Sequence, residues 1–593
     1  MLIELKGGEF AETLNRLKFS LRVLVYDKKV RRYKASIYEF DALYEFCDKY
    51  RIEFHVTEKL YRYYKKFVRR INRLVDAKKN KEFNLDLWTD NKECKLLPYQ
   101  CKAANAAVLS RRFLIGDEMG VGKTPESIAV MLKAFQDYDK STALIVCPTR
   151  VQHQWKQEIE KFTKLDMTSI EVFDEMKCVT NATDKFRANR VICKACKNFK
   201  QCKKNKDSVK YRRRMQIKGS KILIVGYEGM KANVDFMINK QYGVVIFDEA
   251  TKIKNYNTQN TRAARRLVQA LPFDSFVLAL SGTFIENRLE ELYVISDIID
   301  DRLYGPYCNF KNTYLSLDFW GHVIGYRNQK EFKNRLKNII IRRTVDKVWK
   351  DRPPIVVMTR ECPMGKGQEK IYAQTREGVL QDIKDAEKAK QINNAMLATL
   401  MGYLLQVADT VKAIDPEYNG KDHSSKISIL SEILSEEVPR KDKVVIFSRF
   451  AYKVIPHIVE AIGKLKLGNV GCIVGKNKAQ APGIIKSFCN DPKMRFLVCS
   501  DTLAYGANLQ MAQHIVNFDL PWNPAIVDQR VARVYRRGQK RTVNEINLIV
   551  PDTIEEHLYR MLNQKRQVAA EFLKQSSVTQ KLSFDLKKLA RLI

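Results

Sequence analysis

Short apolar runs rich in β-branched residues alternate with longer amphipathic stretches in the first half of the chain. The runs are FLIGD (113–117), ALIVCP (143–148), ILIVGYE (222–228), VVIFDEA (244–250) and VLALSGT (277–283). Near-continuous apolar strands separated by helices are typical of a parallel sheet that is buried on both faces. The pattern therefore predicts one α/β domain over this region.

A second set of apolar runs follows later in the chain. These runs are VVIFSRF (444–450), VGCIVG (470–475), FLVCSD (496–501), HIVNFD (514–519) and VNEINLIV (543–550). They predict a second parallel sheet, so that two α/β domains in tandem are the economical interpretation. Ligands of such sheets bind at the carboxyl ends of the strands, where polar residues and glycines follow many of these runs.

The segments outside the two sheets are predicted to be mainly helical. Residues 58–81 place Leu60, Tyr64, Phe67, Ile71 and Leu74 on one helical stripe with basic residues around it, which fits either a packed helix or a DNA-binding accessory module. The predicted domains are a small α/β module (1–90), a first lobe (91–300) with an insert at about 174–219, a helical linker (301–420), a second lobe (421–552) and a helical brace (553–593).

The charge of the chain indicates a polyanionic partner. It has 593 residues, 45% of them hydrophobic, and a formal net charge of +37. An excess of this size favours nucleic acid binding. No run approaches the roughly 18 apolar residues of a membrane span, and the N-terminus lacks an apolar signal segment. Thirteen cysteines without a secretion signal point to a reducing compartment. We expect a cytoplasmic or nucleoid-associated protein, or a nuclear or viral-factory one in a eukaryotic host, neither secreted nor in a membrane.

The first strand is followed by a candidate phosphate-binding loop, GDEMGVGKTPESI (116–128). Gly120 and Gly122 would let backbone N–H groups wrap a phosphate at the start of a helix. Lys123 would neutralise the terminal phosphates of ATP, and the Thr124 hydroxyl would bind Mg²⁺.

Two adjacent carboxylates close the strand VVIF. Asp248 would hold Mg²⁺ through water, and Glu249 would polarise an attacking water molecule. Together with the upstream loop, this pair predicts hydrolysis of ATP.

Several motifs, taken in order, resemble those of the Swi/Snf-related ATPases of helicase superfamily two. They are LLPYQ (96–100), DEMGVGKT, CPTRVQHQW, DEATKIKN, LSGTFIENRLEEL, DLPWNPAIVDQR and QRVARVYRRGQ, and they extend to about residue 550. The resemblance implies two RecA-like domains in tandem and an ATPase that acts on duplex DNA.

The resemblance also implies roles for individual residues. Gln100 would read adenine, Asp117 and Val121 would belong to the ATP loop, and Gly506 would lie in the second lobe's nucleotide loop. Gln529 would lie in the cleft, and Arg533 and Arg536 would be arginine fingers for the γ-phosphate. Arg530, Arg537 and Arg541 are interpreted as surface or backbone-contacting residues.

The implied DNA contacts come from both lobes. In the first lobe they are Pro148, Thr149, Arg150, Ser281, Gly282 and Thr283, and in the second they are Arg449, Trp522 and Asn523. The chain departs from the family pattern at Pro125, Glu126, Thr251, Phe284 and Ala504-Tyr505. These departures put coupling between hydrolysis and movement in question, although they leave the groups at Mg²⁺ and the phosphates in place.

Four cysteines in a basic segment form a candidate metal site. Cys178, Cys193, Cys196 and Cys202 are spaced C-x14-C-x2-C-x5-C. Four thiolates around a CxxC pair suit tetrahedral zinc. Iron–sulfur helicases of the same superfamily carry four cysteines in the same part of the first lobe, so a [4Fe–4S] cluster is the alternative.

The function expected from these features is ATP-dependent movement along double-stranded or branched DNA, with displacement of DNA-bound protein complexes or remodelling of the DNA. The protein is expected to act as a monomer. The alternatives are a strand-separating helicase, which an iron–sulfur cluster would favour, and an ATP-gated DNA clamp with little hydrolysis. RNA is a less favoured substrate.

Overall fold

A computed structural model describes residues 2–3, 24–27, 32–35, 39–52, 56–91, 94–173, 220–282, 284, 288–389, 394–420, 422–501 and 509–574. Within these ranges the chain forms two compact units. The first holds the described residues up to Thr344 except Met119–Val121, which group with the second unit, and the second continues from Val345.

The first unit contains twelve described strands and ten helices. The strands are β1 (Leu2–Ile3), β2 (Leu24–Asp27), β3 (Arg32–Ala35), β4 (Arg112–Ile115), β5 (Ala143–Cys147), β6 (Ile170–Val172), β7 (Ile222–Gly226), β8 (Val244–Asp248), β9 (Phe276–Leu280), β10 (Leu315–Leu317), β11 (Val323–Tyr326) and β12 (Ile340–Ile341). The helices are α1 (Phe40–Lys49), α2 (Glu58–Ala77), α3 (Pro98–Ser110), α4 (Lys123–Asp137), α5 (Gln152–Phe162), α6 (Tyr227–Lys240), α7 (Gln259–Ala270), α8 (Leu289–Ile299), α9 (Tyr307–Tyr314) and α10 (Gln329–Leu336).

The second unit contains six strands and eight helices in its described part. The strands are β13 (Ile355–Glu361), β14 (Val444–Phe447), β15 (Asn469–Ile473), β16 (Met494–Cys499), β17 (His514–Asn517) and β18 (Val543–Ile549). The helices are α11 (Val345–Val348), α12 (Lys366–Lys388), α13 (Asn394–Asp409), α14 (Ser425–Glu432), α15 (Ile455–Leu465), α16 (Ala481–Asn490), α17 (Pro524–Val534) and α18 (Ile554–Lys574).

Each unit is built on a parallel sheet, as the hydrophobic pattern predicts. The first sheet has the order β12-β4-β9-β8-β5-β7-β6, and the second has the order β13-β18-β17-β14-β16-β15. All pairings in both sheets are parallel. All ten predicted runs form strands of these sheets. The inner strands β5 and β9 are buried along their whole length, because helices cover both faces.

Edge strands and an N-terminal sheet complete the fold. Strands β1, β3 and β2 form a small antiparallel sheet. The segment 301–420, which was expected to be mainly helical, also supplies the edge strand β13. Val356 is 42% and Val357 is 56% exposed in this strand. Because the strand is not buried on both faces, it lacks the continuous apolar run by which the other strands were predicted.

The N-terminal helix α2 has the predicted apolar stripe on one side. Thr57 caps it by accepting a hydrogen bond from the Leu60 N–H, and Leu74 is buried. Leu74 belongs to the core of the first unit, so α2 packs against that unit. No helix in the ranges given above is both long and apolar enough to cross a membrane.

Candidate nucleotide site and motif residues

The phosphate loop leaves β4 at Gly116 and enters helix α4 at Lys123. Gly120 and Gly122 have φ values of +85° and +104°, which suit glycine and turn successive N–H groups toward one side. The Lys123 ammonium donates to the Asp117 carbonyl at 2.8 Å. The lysine therefore lies inside the loop, where a bound phosphate would compete for it.

Gln100 supports the loop from helix α3. Its Oε1 accepts from the Leu97 N–H at 2.9 Å, and its Nε2 donates to the Gly122 carbonyl at 3.3 Å. The side chain is 5% exposed. Its expected contact with adenine stays a prediction, and its observed role is to tie the start of α3 to the loop.

Asp248 is the last residue of β8, and Glu249 follows it at the same edge of the sheet. The Asp248 carboxylate accepts from the Trp155 indole N–H at 2.8 Å and from the Glu249 N–H at 3.0 Å. Burial raises the pKa of the Asp248 carboxyl, while the Trp155 hydrogen bond and the charge of Lys123 oppose that rise. Lys123 and Asp248 thus lie close enough to sense each other's charge.

Glu249 occupies a strained backbone position. Its φ is +52°, in the left-handed region that residues other than glycine rarely adopt. The Tyr227 hydroxyl donates to the Asp248 carbonyl at 2.8 Å, which pins this turn from helix α6. Strain of this kind is held by surrounding contacts, here by the hydrogen bond from Tyr227.

Trp155 and Tyr227 contact Asp248, and the sequence did not single out either of them for this position. Trp155 was visible in CPTRVQHQW, but nothing in that pattern showed that its indole would reach Asp248. The signal available was a tryptophan one helical turn into α5, directly after a buried strand.

Arg343 is a third residue that the sequence did not single out. Its backbone N–H and Nε donate to the Asp117 carboxylate at 2.9 and 3.0 Å, and it pairs with Glu126 at 2.6 Å. It also donates to the Tyr99 carbonyl and lies 5.0 Å from the centre of the Tyr99 ring. One guanidinium therefore joins the segment of Gln100, the phosphate loop and helix α4.

Glu126 is one of the positions at which the chain departs from the family pattern, and here it pairs with Arg343. The side chain is fully buried and faces Arg343 and Asp117. Burial and the neighbouring Asp117 charge raise the pKa of Glu126 well above its ordinary value, against the lowering effect of Arg343 and Lys123. Arg343 is therefore the cationic partner of the carboxyl group at position 126.

Phe284, another departure, packs against the loop. Its ring would lie 2.9 Å from a Cβ at position 116, so the phenyl ring uses the space that Gly116 leaves. A larger residue at position 116 would displace the ring.

The predicted DNA contacts of the first unit lie at the ends of β5 and β9. Pro148 caps a 3-10 turn formed by Thr149–Val151, in which Thr149 is exposed and Arg150 is half-buried. Ser281 and Gly282 are buried, and the Ser281 N–H donates to the Ile115 carbonyl at 3.2 Å. Thr283 lies outside the described residues. The DNA contacts stay predictions.

In the second unit, the arginine-rich helix α17 is held by a network around Arg530. This residue is fully buried and donates to Asp501 at 2.7 Å, to Asn517 at 3.0 Å and to the Asp519 carbonyl at 2.8 Å. The interpretation of Arg530 as a surface residue is wrong, because helical spacing does not show which side of α17 faces the sheet. Arg537 and Arg541 are exposed, as predicted.

Arg533 and Arg536 lie at and just beyond the end of α17. The Leu509 N–H donates to the Arg533 carbonyl at 3.0 Å, and the Gln510 side chain donates to the Arg536 carbonyl at 3.3 Å. The Gln529 side chain is buried, and its Oε1 has no hydrogen-bond partner within the described part of the chain. Gly506 lies outside the described residues.

The remaining predicted residues of this unit surround Asp519. Arg449 donates its N–H to the Asp519 carboxylate at 2.9 Å, and its guanidinium lies 5.0 Å from the Trp522 ring centre. Asn523 caps α17 by accepting from the Ala525 N–H at 3.0 Å. These contacts give Asn523 a structural role, and its contact with DNA stays a prediction.

The four cysteines of the candidate metal site, Cys178, Cys193, Cys196 and Cys202, lie outside the described residues. Within the residues that the structure does describe, no group of three or more His, Cys, Asp or Glu side chains is arranged to hold a metal ion.

Comparison with known proteins agrees with these motifs. The chain matches the family model of the SNF2-related domain over residues 52–413 and that of the helicase conserved C-terminal domain over residues 425–538. An uncharacterized ATP-dependent helicase of Mycoplasma genitalium is 27% identical over 78% of this chain and 40% of its own length. The uncharacterized ATP-dependent helicase YqhH of Bacillus subtilis is 22% identical over 79% of this chain and 78% of its own length.

Among solved structures, the SWI2/SNF2 ATPase core of Sulfolobus solfataricus in complex with dsDNA matches at 24% identity, covering 83% of this chain and 94% of that one. The TM-score of this match is 0.36. An uncharacterized ATP-dependent helicase of Mycoplasma pneumoniae also matches, and the chain spans only 40% of the length of each of the two Mycoplasma relatives. Since the SNF2-related model covers more than half of the chain, in the order of motifs found here, the chain belongs to the SNF2-related family.

Proposed function

We propose that this protein is a DNA-dependent ATPase of helicase superfamily two that uses ATP hydrolysis to move along double-stranded DNA. The observation that carries the proposal is the first unit's nucleotide site, in which Lys123 and the Asp248–Glu249 pair face one edge of one sheet. Family membership and the excess of basic residues support DNA as the partner.

The residues of the site divide the reaction between them. The loop N–H groups and Lys123 would bind the phosphates, with the positive end of the α4 helix dipole behind them. Mg²⁺, held through water by Asp248 and by the Thr124 hydroxyl, would neutralise phosphate charge. Asp248 fits this role because its carboxylate is fixed by two donors and each oxygen keeps a free lone pair.

Glu249 would accept the proton of the attacking water. It follows β8 directly, beside Asp248 and in a backbone turn that Tyr227 pins, which places the residue at the edge of the sheet where the phosphate loop lies. Arg533 and Arg536 would stabilise charge on the γ-phosphate, as guanidinium groups do in related phosphoryl-transfer sites.

The four cysteines of the candidate metal site, Cys178, Cys193, Cys196 and Cys202, would hold a structural zinc ion, and an iron–sulfur cluster remains the alternative.

The proposal is tested by steady-state ATP hydrolysis without nucleic acid and with single-stranded DNA, duplex DNA or RNA. We expect the strongest stimulation by duplex DNA. Glu249→Gln should lower the stimulated rate by about 100-fold or more, which is the usual contribution of a general base. Glu160→Gln, which changes an exposed glutamate of α5, serves as the matched control.

Movement is tested separately by ATP-dependent displacement of a third strand from a DNA triplex. Displacement by the unsubstituted chain and none by Glu249→Gln is expected. Stimulation by single strands alone would favour strand separation. Tight DNA binding with negligible hydrolysis on every substrate would favour the clamp.

A further inference from the structure

A cleft lined by positively charged side chains lies at the amino-terminal end of β4, outside the predicted ATP-binding and DNA-binding motifs of the first unit. Its volume is about 370 Å³. Helix α2 lines it with Lys66, Arg69, Arg70 and Arg73, and the body of the first unit lines it with Arg111, Arg112 and Arg302. We call it the basic cleft.

The helix α2 side of the cleft is a regular stripe of cations. Lys66, Arg69, Arg70 and Arg73 follow the i, i+3, i+4, i+7 spacing that brings side chains to one face of a helix. Lys66, Arg69 and Arg73 are exposed. Seven residues of helix span about 10 Å, which equals the rise of about three nucleotides along the axis of a DNA duplex at 3.4 Å per nucleotide.

The opposite side of the cleft is pre-positioned. Arg111 has a φ of +60°, unusual for a residue with a side chain, and its guanidinium lies 5.3 Å from the Tyr138 ring centre. Arg112 donates to the Ile299 carbonyl at 2.9 Å. Because these arginines are already held in place, a ligand would not have to order them.

Acidic groups neutralise only part of this charge. Asp300 binds Arg302 at 2.6 and 2.7 Å, and Arg302 also lies 5.1 Å from the ring centre of Phe273. Among the described residues, none that lines the cleft is acidic. Burial lowers the pKa of Arg112, and the charges of Arg302 and Arg70 lower it further, although Asp300 and Asp301 oppose them.

The position of the cleft separates it from the nucleotide site. Arg112 is the first residue of β4, whereas the phosphate loop follows the last residue of the same strand. A four-residue strand is about 13 Å long, so the two sites lie at opposite ends of the sheet. Ligands of the parallel sheet itself bind at the carboxyl edge, and the basic cleft is therefore not part of that site.

We propose that the basic cleft is a second nucleic acid site that binds the phosphodiester backbone of duplex DNA outside the motor motifs. The cation stripe covers the axial rise of about three nucleotides, and its Lys66, Arg69 and Arg73 side chains are exposed. Lysine and arginine contacts to phosphate carry no base specificity, so the site would add affinity without sequence preference.

The test measures duplex DNA binding by the full chain across a series of salt concentrations. The variant is Arg69→Gln with Arg73→Gln, because both side chains are exposed and glutamine keeps the helix propensity. Loss of two phosphate contacts should lower the slope of log K against log salt by about 1.8 and weaken binding by about 10- to 100-fold at 0.1 M salt.

The matched control is Lys441→Gln with Lys493→Gln, which removes the same charge from exposed positions of the second unit. We expect its slope to change by less than half as much. ATP hydrolysis at saturating duplex should stay within twofold in both double variants, since neither touches the nucleotide site.

An unchanged salt slope in the Arg69/Arg73 variant, or a change equal to that of the control, would overturn the proposal. Weaker duplex binding with normal maximal hydrolysis supports it. This pattern also separates it from the proposed motor function, whose failure would appear as absent hydrolysis in the unsubstituted chain.

Discussion

Arg343 in the first unit, which is half-buried, and Arg530 in the second, which is fully buried, both face two carboxylates, yet their surroundings differ. Arg343 faces Asp117 and Glu126, which are both fully buried, and the Glu126 Oε2 has no hydrogen-bond partner in the described structure. Arg530 faces Asp501 and Asp519 but also donates to Asn517 and to a main-chain carbonyl.

The difference lies in how the second carboxylate of each cluster is satisfied. Asp519 accepts hydrogen bonds from the Ser448 hydroxyl at 2.5 Å and from the Arg449 N–H at 2.9 Å. Glu126 depends on Arg343 and on the more distant charge of Lys123, or on a proton. In the second cluster both carboxylates have hydrogen-bond donors, although the Arg530 Nη2 makes no hydrogen bond within the described part of the chain. The first cluster retains a carboxyl group with a raised pKa beside the phosphate loop.

The largest expected effect comes from removing the guanidinium of Arg530. Arg530→Met would leave the buried Asp519 and the partly exposed Asp501 without their cation, and loss of one partner of a buried ion pair typically costs about 3–5 kcal/mol. Chemical denaturation should show the transition of the second unit moving to lower denaturant. Arg537→Met is the control, because Arg537 is exposed. Equal midpoints for the two variants would show that the network around Arg530 does not stabilise the fold.

Arg343→Met should have a smaller effect on stability, about 3 kcal/mol, because its side chain is 12% exposed and water reaches part of it. It should also raise the KM for ATP, since it releases Asp117 and Tyr99 together. Arg342→Met, next to it in the chain and 31% exposed, is the control. Stability loss with an unchanged KM would mean that Arg343 braces the unit without positioning the loop.

The smallest expected effect is the pH dependence of Glu126. Because its pKa is raised in the folded state, the native carboxyl keeps a proton that the unfolded chain has released. Stability from this group is therefore present at low pH and is lost as pH rises above the ordinary glutamate value of about 4.3. Glu126→Gln should flatten the fall in unfolding free energy between pH 5 and pH 8.

The measurement is the urea midpoint of the first unit at both pH values, in the unsubstituted chain and in Glu126→Gln. Glu118→Gln is the matched control, since Glu118 lies near the same loop but is partly exposed. Identical pH dependence in the unsubstituted chain and Glu126→Gln would contradict the inference that Glu126 carries the titrating proton.

Much of the site was predictable because its signals are local. The glycines and Lys123 of the phosphate loop and the Asp248–Glu249 pair follow apolar strands directly in the chain, and a parallel sheet brings the ends of its strands to one edge. Arg343 and Trp155 were not predictable in this way. Each acts through a partner far along the chain, Asp117 for Arg343 and Asp248 for Trp155.

The sequence by itself determined the two parallel sheets, the loop that suits a phosphate and the acid pair beside it, because burial and turn chemistry leave local patterns. Only the tertiary structure decided that Arg530 points inward, that Glu126 pairs with Arg343, and that α2 brings its cations next to Arg111 and Arg112. Those outcomes depend on how a helix is rotated about its axis and on which strand lies beside it, and a periodicity fixes neither.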